Sequence, residues 1–202
     1  MRKRRSSRNW RCRNHLRTLI IFFFIMIQIL QNSQSENYKL LKKNILGQYF
    51  PWFYYKNTTA EQVEMNGFAN VPQLAHTFIA RPEEYGWSKH DSEIHQIAVD
   101  VVREILFENN FYPENYFILR LATNCTFPSE GIQFSLPHVD HTFPHFNFLT
   151  YLTNSGGSTY IEGIEHKPKE DQSILFSGKH YLQLPKKERR IVLVATFMTY
   201  NK

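Results

Sequence analysis

Apolar residues recur along the chain with two different periods, and the change between them falls near residue 116. Between His90 and Asn110, Ile94, Ile97, Ala98, Val101, Val102, Ile105 and Leu106 stand three and four apart. That spacing keeps one face of a helix apolar. Asp91 or Ser92 supplies its cap, and Asn109-Asn110 before Pro113 ends it. A shorter helix is expected over Tyr38–Leu46 and an extended segment over Val71–Ala80. From Tyr116 onward the pattern breaks into short β runs: Tyr116–Ala122, Ile132–Val139, Phe146–Leu152, Ser158–Ile161, Gln172–Phe176, Tyr181–Leu184 and Ile191–Tyr200. Turn residues separate them at Pro128–Gly131, Asn154–Gly157 and Pro168–Asp171. Short strands behind a helical preface predict a mainly β (α+β) fold, an antiparallel double-sheet jelly roll.

The N-terminal third carries other signals. Phe50-Pro51-Trp52-Phe53-Tyr54-Tyr55 is expected to wedge an N-terminal segment onto the core. Met1 to Arg17 is basic, and Leu19–Leu30 is apolar with Gln28 as its one polar interruption. That run is short of the ~20 residues a membrane span needs and fits the ~7–15 of a signal-peptide apolar segment. Ser33 and Ser35 would stand at −3 and −1 of a cut before Glu36. An uncleaved signal anchor and a mitochondrial presequence are the alternatives. Two sequons, Asn57-Thr58-Thr59 and Asn124-Cys125-Thr126, suit passage through the secretory lumen. The expected location is therefore the secretory pathway (endoplasmic reticulum, Golgi lumen or secreted), with any membrane contact through the N-terminal apolar segment. The expected organisation is a leader over 1–35, a helical and aromatic preface over 36–115, and a β core over 116–202.

Charge narrows the partners. The formal charge of +6 suggests nucleic acid until it is located: eight Lys/Arg and no acid lie in residues 1–35. The body is left with 16 cations against 18 acids, too balanced for a phosphate-binding surface. Nucleic acid is thereby set aside. Two cysteines, Cys12 in the leader and Cys125, provide no disulfide framework.

The chemistry gathers at Pro137-His138-Val139-Asp140, Phe176-Ser177-Gly178-Lys179-His180 and Arg189-Arg190. Residues two apart on a strand point to the same face, so His138 and Asp140 offer an imidazole and a carboxylate together. His180 can supply a third ligand from a neighbouring strand. Two His and one carboxylate on one face leave positions open, as a non-haem Fe(II) oxygenase requires. A lone His-x-acid pair means little: 9 His and 18 acids in 202 residues give about one by chance. Weight comes from the register downstream, with Pro185 five and Arg190 ten residues after His180. A guanidinium suits the distal carboxylate of a dicarboxylate ligand.

These segments resemble the 2-oxoglutarate/Fe(II)-dependent dioxygenases, particularly the compact prolyl-4-hydroxylase-like proteins of phages and bacteria. The likeness is carried by Tyr116–Arg120, Leu136–Asp140, Asn147–Thr159, Ile174–His180 and Pro185 with Arg190–Val194, over roughly residues 112–200. It implies a double-stranded β-helix, with iron on His138, Asp140 and His180 and 2-oxoglutarate on Arg190. Tyr116 or Tyr151 would add a hydroxyl to the same carboxylate. Fe(II), 2-oxoglutarate and O2 are the implied cofactors, with ascorbate as an accessory. The implied reaction is hydroxylation of a C–H bond on a small molecule or a peptide side chain such as proline.

The segment before the distal histidine departs from the family. Many relatives have two more residues there, which would put Leu182 at the ligand position and kill the site. Tyr181-Leu182 also stand where small residues are usual. Arg189 replaces Arg190 if the register slips by one. Rival readings are a binding module that kept the fold and lost turnover, and a cupin-like metalloprotein using His138 with His141 or His145. His141 and His145 are otherwise expected at the mouth of the site, and His76, His90, His95 and His166 at the surface. Thr159 and Asn147 are candidates for orienting ligands.

Overall fold

The computed structural model describes residues 27–58 and 67–200. The basic leader and most of the apolar run, expected as a signal or anchor, lie outside the described residues. Thirteen strands and three α-helices follow in order. The strands are β1 (Gln28–Leu30), β2 (Phe53–Tyr55), β3 (Phe68–Ala69), β4 (Gln73–Ala80), β5 (Lys89–His90), β6 (Tyr116–Thr126) and β7 (Phe134–Ser135). They continue with β8 (Phe146–Tyr151), β9 (Thr159–Ile161), β10 (Ile164–His166), β11 (Ser173–Phe176), β12 (His180–Leu182) and β13 (Arg190–Thr199). The helices are α1 (Glu36–Leu46), α2 (Pro82–Tyr85) and α3 (His95–Glu108).

Eight strands form the major sheet in the order β1-β11-β8-β13-β6-β4-β2, with β5 pairing the end of β4. A smaller sheet, β10-β9-β12, faces it, and β3 pairs with β7 in parallel. This is a jelly roll. Its central strands alternate between two environments, as a period of two requires. Ile191, Leu193, Ala195 and Phe197 of β13, with Leu121 and Cys125 of β6, join one core with Leu41 and Ile45 of α1 and Val101, Val102 and Ile105 of α3. The opposite face carries a smaller apolar cluster of Leu149, Tyr151, Ile161, Ile174, Phe176 and Val192. Each Val, Leu, Ile or Phe among them, fully buried, contributes about 1.5–3 kcal/mol. The helices thus seal one face of the major sheet, and the other is left for a cavity between the sheets.

Several elements differ from expectation. The helix read over His90–Asn110 begins only at His95; Asp91 makes no cap, and Ser92 Oγ accepts from Ile94 N at 3.3 Å just ahead of it. The aromatic wedge is half correct: Phe50 is buried, but Phe53, Tyr54 and Tyr55 form an exposed edge strand. Most unexpected is β1. Gln28–Leu30, the end of the apolar run, pairs antiparallel with Ser173–Leu175, and Leu30 is buried. Ser35 then caps α1, its Oγ accepting from Tyr38 N at 3.1 Å and donating to Glu104. Gln28–Leu30, ahead of Glu36, is therefore part of the folded sheet. Among the described residues no helix is long and apolar enough to cross a membrane.

Candidate metal centre

The chain between β7 and β8 runs beside β12. His138 N donates to His180 O, and His180 N donates to His138 O, at 2.9 Å each. This antiparallel bridge sets the two imidazoles side by side, ring centroids 4.5 Å apart. Asp140 joins them, its Oδ2 3.4 Å from His180 Nε2. One ligand atom from each of His138, Asp140 and His180 lies within 4.8 Å of the others. Both imidazoles are oriented alike. His138 Nδ1 is 3.1 Å from Leu136 O, and His180 Nδ1 is 3.2 Å from Gly178 O. With each Nδ1–H donated to a carbonyl, both Nε2 lone pairs face the gap, the usual outer support of a metal-binding histidine.

Register decides between His180 and Leu182. In β12, His180 pairs with Ile161 and Leu182 with Thr159, so both line the cavity, but Leu182 lies one strand pleat further on. The turn that delivers His180 is tight. Gly178 has φ +97°, and a Cβ there would strike the Glu162 carboxylate, which accepts from Lys179 N at 2.5 Å. The short segment before the histidine is closed by this contact, and the histidine stays in place.

Electrostatics prepare the trio for a cation. Burial pulls His180 down to about 4, so its imidazole is neutral near pH 7. Burial works against the Asp140 charge, yet His180, Arg120, His138 and Arg81 together hold its carboxyl well below the usual range. Two imidazoles with Nδ1 tied to carbonyls beside a fixed carboxylate are a donor set that fits Fe(II).

Arg190 opens β13 and is buried, while Arg189 is exposed. Arg190 Nε donates to Gly157 O at 3.1 Å and Nη2 to Thr159 Oγ1 at 2.9 Å. Tyr151 OH is 2.8 Å from the same Thr159 hydroxyl, and the guanidinium carbon stands 5.3 Å from its ring centroid. Tyr116 is elsewhere. It packs on Phe197 in the helix-side core, and its hydroxyl faces a separate cavity with Arg103. Tyr151, not Tyr116, is the tyrosine beside Arg190. The cavity also holds orphaned polar atoms: Asn124 Oδ1, Thr126 Oγ1 and both amide atoms of Asn147 are buried without partners. Such groups are costly unless something bonds them. Together with the Arg190 guanidinium they fit a polar dicarboxylate. Asn124 belongs to one of the two sequons; because it faces the cavity, a glycan there would have to open the site.

The other histidines are accounted for. His141 Nδ1 meets Glu83 at 2.5 Å and Nε2 meets Thr196 Oγ1 at 2.7 Å, so neither nitrogen is free for a metal. His145 Nδ1 bonds Phe143 O, and its Nε2 is buried without a partner. Among the described residues the group able to hold a metal is His138 with Asp140 and His180, and it takes in neither His141 nor His145. His76, expected at the surface, is buried between Pro51 O and Ser92 Oγ at 2.8 Å each. Arg81 and Arg120 line the cavity beside Asp140 and escaped the sequence reading. A signal existed for Arg120: Arg120, Asn124 and Thr126 put polar groups on one face of a strand otherwise filled with apolar side chains.

No protein-family model and no curated sequence matches the chain. Solved structures do. The chain has the double-stranded β-helix fold of the 2-oxoglutarate/Fe(II) oxygenases and of prolyl hydroxylase-like proteins. An oxidoreductase of the 2OG-Fe(II) oxygenase family from Burkholderia pseudomallei matches at a TM-score of 0.65 and 14% identity, covering 95% of each chain. A prolyl hydroxylase from Trichoplax adhaerens, in complex with a hypoxia inducible factor peptide fragment, matches at 0.54 and 15%, over 93% of this chain and 94% of that one. The viral collagen prolyl hydroxylase of Paramecium Bursaria Chlorella virus-1, in its 2OG complex, matches at 0.51 and 15%, over 85% and 95%. At these identities the likeness is one of fold.

Proposed function

We propose that the chain is an Fe(II)- and 2-oxoglutarate-dependent dioxygenase that hydroxylates a C–H bond, with His138, Asp140 and His180 holding the iron and Arg190 the distal carboxylate of 2-oxoglutarate. One observation carries this reading: two imidazoles with Nδ1 tied back and Nε2 free converge with an ionised carboxylate inside a fold shared with such enzymes. Fe(II) with 2-oxoglutarate and O2 supplies the oxidising chemistry. The protein's part is to hold and orient. The paired backbones of His138 and His180 fix the ligand geometry. Arg190, braced by Gly157 O and Thr159, offers its remaining N–H groups to a carboxylate. Tyr151 holds the Thr159 hydroxyl in position. Leu149, Phe176, Val192 and Val194 keep the cavity wall apolar, which strengthens every charge contact inside it.

The substrate we propose is a peptide or small molecule, with a prolyl side chain favoured by analogy to neighbours described as prolyl hydroxylases. Entry into the secretory pathway is the location we propose, on the strength of the basic and apolar leader. Because Gln28–Leu30 is a strand of the sheet, any cut that leaves the fold intact falls before it.

The test is anaerobic titration with Fe(II) and 2-oxoglutarate, followed by the weak metal-to-ligand charge-transfer band in the visible. The band is expected in the wild type and absent in His138→Ala and His180→Ala. A His180→Ala protein that gives the wild-type band sinks the ligand assignment.

A further inference from the structure

Two arginines in the cavity are left over once Arg190 is assigned to 2-oxoglutarate. Arg120 projects from the inward face of β6, and Arg81 follows the end of β4. Both line the cavity with His138 and Asp140. Among the described residues Arg120 makes no hydrogen bond or ion pair, leaving five N–H donors unused. Arg81 is nearly as free. Its Nη2 stands 3.4 Å from Asp140 Oδ1, and its Nε is 4.0 Å from Glu84, which is exposed at the rim.

Register separates this pair from Arg190. On the β6–β13 ladder Arg190 pairs with Thr126 and Arg120 pairs with Thr196, six residues further along. At ~3.3 Å per residue the two guanidinium-bearing positions lie about 20 Å apart along the strand. One short dicarboxylate cannot span both, and Asp140 lies on the Arg120 side of the cavity. Charge points the same way. Among the described residues lining the cavity, three guanidiniums, Arg81, Arg120 and Arg190, stand against one carboxylate, Asp140, and imidazoles that coordinate a metal add no charge. A divalent metal and dianionic 2-oxoglutarate cancel each other, so the excess of two cations remains after loading. Two half-buried cations whose acidic neighbours are Asp140, which would be shared with the metal, and the exposed Glu84 are under-compensated, and that is costly.

We infer that Arg81 and Arg120 form an oxyanion subsite for the substrate, across the metal from the 2-oxoglutarate end, so that the carbon hydroxylated lies close to a carboxylate or phosphoryl group. The inference rests on the oxygenase reading and narrows its substrate class to anionic molecules or acidic peptide sites. The planar forks of two guanidiniums suit either oxyanion, each accepting paired N–H bonds.

The full chain loaded with Mn(II) and 2-oxoglutarate tests it, with paramagnetic relaxation of added probes as the readout. The probes are methylphosphonate, N-acetyl-L-proline and the uncharged N-acetyl-L-proline methylamide. Both anions are expected to bind within relaxation range of the metal, and the methylamide at least ten-fold more weakly; the tighter anion tells carboxylate from phosphoryl. Arg120→Met and Arg81→Met should each weaken the anions ten-fold or more and leave 2-oxoglutarate affinity within two-fold. Arg120→Lys, which keeps the charge, should recover part of the loss and guards against a folding artefact. Anion binding unchanged in both Met variants overturns the inference. So does a ten-fold loss of Mn(II) affinity with the preference for anions intact, since the arginines would then serve Asp140 alone. Failure of 2-oxoglutarate to bind the Mn(II)-loaded wild type sinks the oxygenase reading instead, and anion binding is scored separately on the same sample.

Discussion

His138 and His180 are a ladder pair: each donates its backbone N–H to the other's carbonyl at 2.9 Å, although they stand 42 positions apart in the chain. The ligand spacing is therefore set by main-chain bonds and not by the side chains themselves. Replacing either imidazole should remove metal binding while leaving the bridge in place. For His180→Ala we expect loss of the Fe(II)·2-oxoglutarate band with unfolding free energy changed by no more than about 1 kcal/mol without metal. Denaturant melts beside the titration check it; a variant that fails to fold shows that the imidazole itself supports the bridge.

Gly157 controls Arg190. It has φ +79°, and a Cβ on it would lie 2.5 Å from Gln183 O and 3.2 Å from Arg190 Cδ. Its own carbonyl accepts from Arg190 Nε. Gly157→Ala is expected to cost about 1–3 kcal/mol in backbone strain and to push the guanidinium off its supports. The effect should fall on 2-oxoglutarate affinity much more than on metal affinity. Calorimetric titration of each ligand separates the two.

Neighbouring arginines should behave oppositely. Arg190 is buried against Thr159, and Arg189 is exposed, its side chain making no hydrogen bond among the described residues. Arg190→Met is expected to weaken 2-oxoglutarate by at least about 2 kcal/mol, the scale of a charge-assisted bond, and Arg189→Met by less than about 0.5. Equal losses at both positions would mean that Arg190 is structural.

The N-terminal strand should be needed for stability. β1 pairs with β11, Leu30 is buried, and Ser33 and Ser35 bond Glu108 and Glu104 of α3. Ser35→Ala is expected to cost about 1 kcal/mol through the lost cap of α1. A chain beginning at Glu36 loses the strand as well, and its melting temperature should drop by several times the Ser35→Ala shift.

What the sequence revealed depended on whether a signal was local. The period of three and four gave α3 because helix periodicity is a property of neighbouring residues. The His138, Asp140, His180 and Arg190 set was legible through its spacing and the family resemblance, although the strand expected over Ile132–Val139 shrinks to Phe134–Ser135 and His138 joins β12 only by an isolated bridge. β1 was not. An apolar run looks the same in a leader and at a sheet edge, and its pairing with Ser173–Leu175 is a contact across most of the chain. Phe53–Tyr55 was misread for the related reason that aromatics suit exposed edge strands as well as cores. Arg81, just past the end of β4, and Arg120 on β6 reach the cavity together only because β4 and β6 are adjacent, Ile79 opposite Leu121, which only the fold establishes. His76 was assigned to the surface by its polar neighbours, and the fold buries it between two partners.

Alkaline pH should loosen the clasp between α1 and the turn before β11. Tyr38 OH donates to Asp171 Oδ1 at 2.5 Å, and Lys42 Nζ reaches Asp171 and Glu170 at 2.6 Å each. Burial, then the bond to Asp171, pushes the Tyr38 phenol well above its ordinary 10.0. Burial would lower Lys42, but its bonds to Asp171 and Glu170 prevail and raise it above 10.5. In both cases the unfolded chain gives up its proton first as pH rises. The unfolded state then binds fewer protons than the native one, and stability falls with increasing pH. The contribution is fully present below pH 10 and is lost progressively as pH climbs through the raised folded values. Asp171→Asn removes the shared acceptor charge. It should lower stability at pH 7 by about 1–3 kcal/mol and make the decline above pH 10 shallower, because Lys42 loses its main partner while Tyr38 keeps the part that comes from burial. Denaturant unfolding at pH 7, 9, 10 and 11 measures both quantities. A variant with wild-type stability at pH 7 and the same alkaline slope would show that the clasp contributes nothing to the fold.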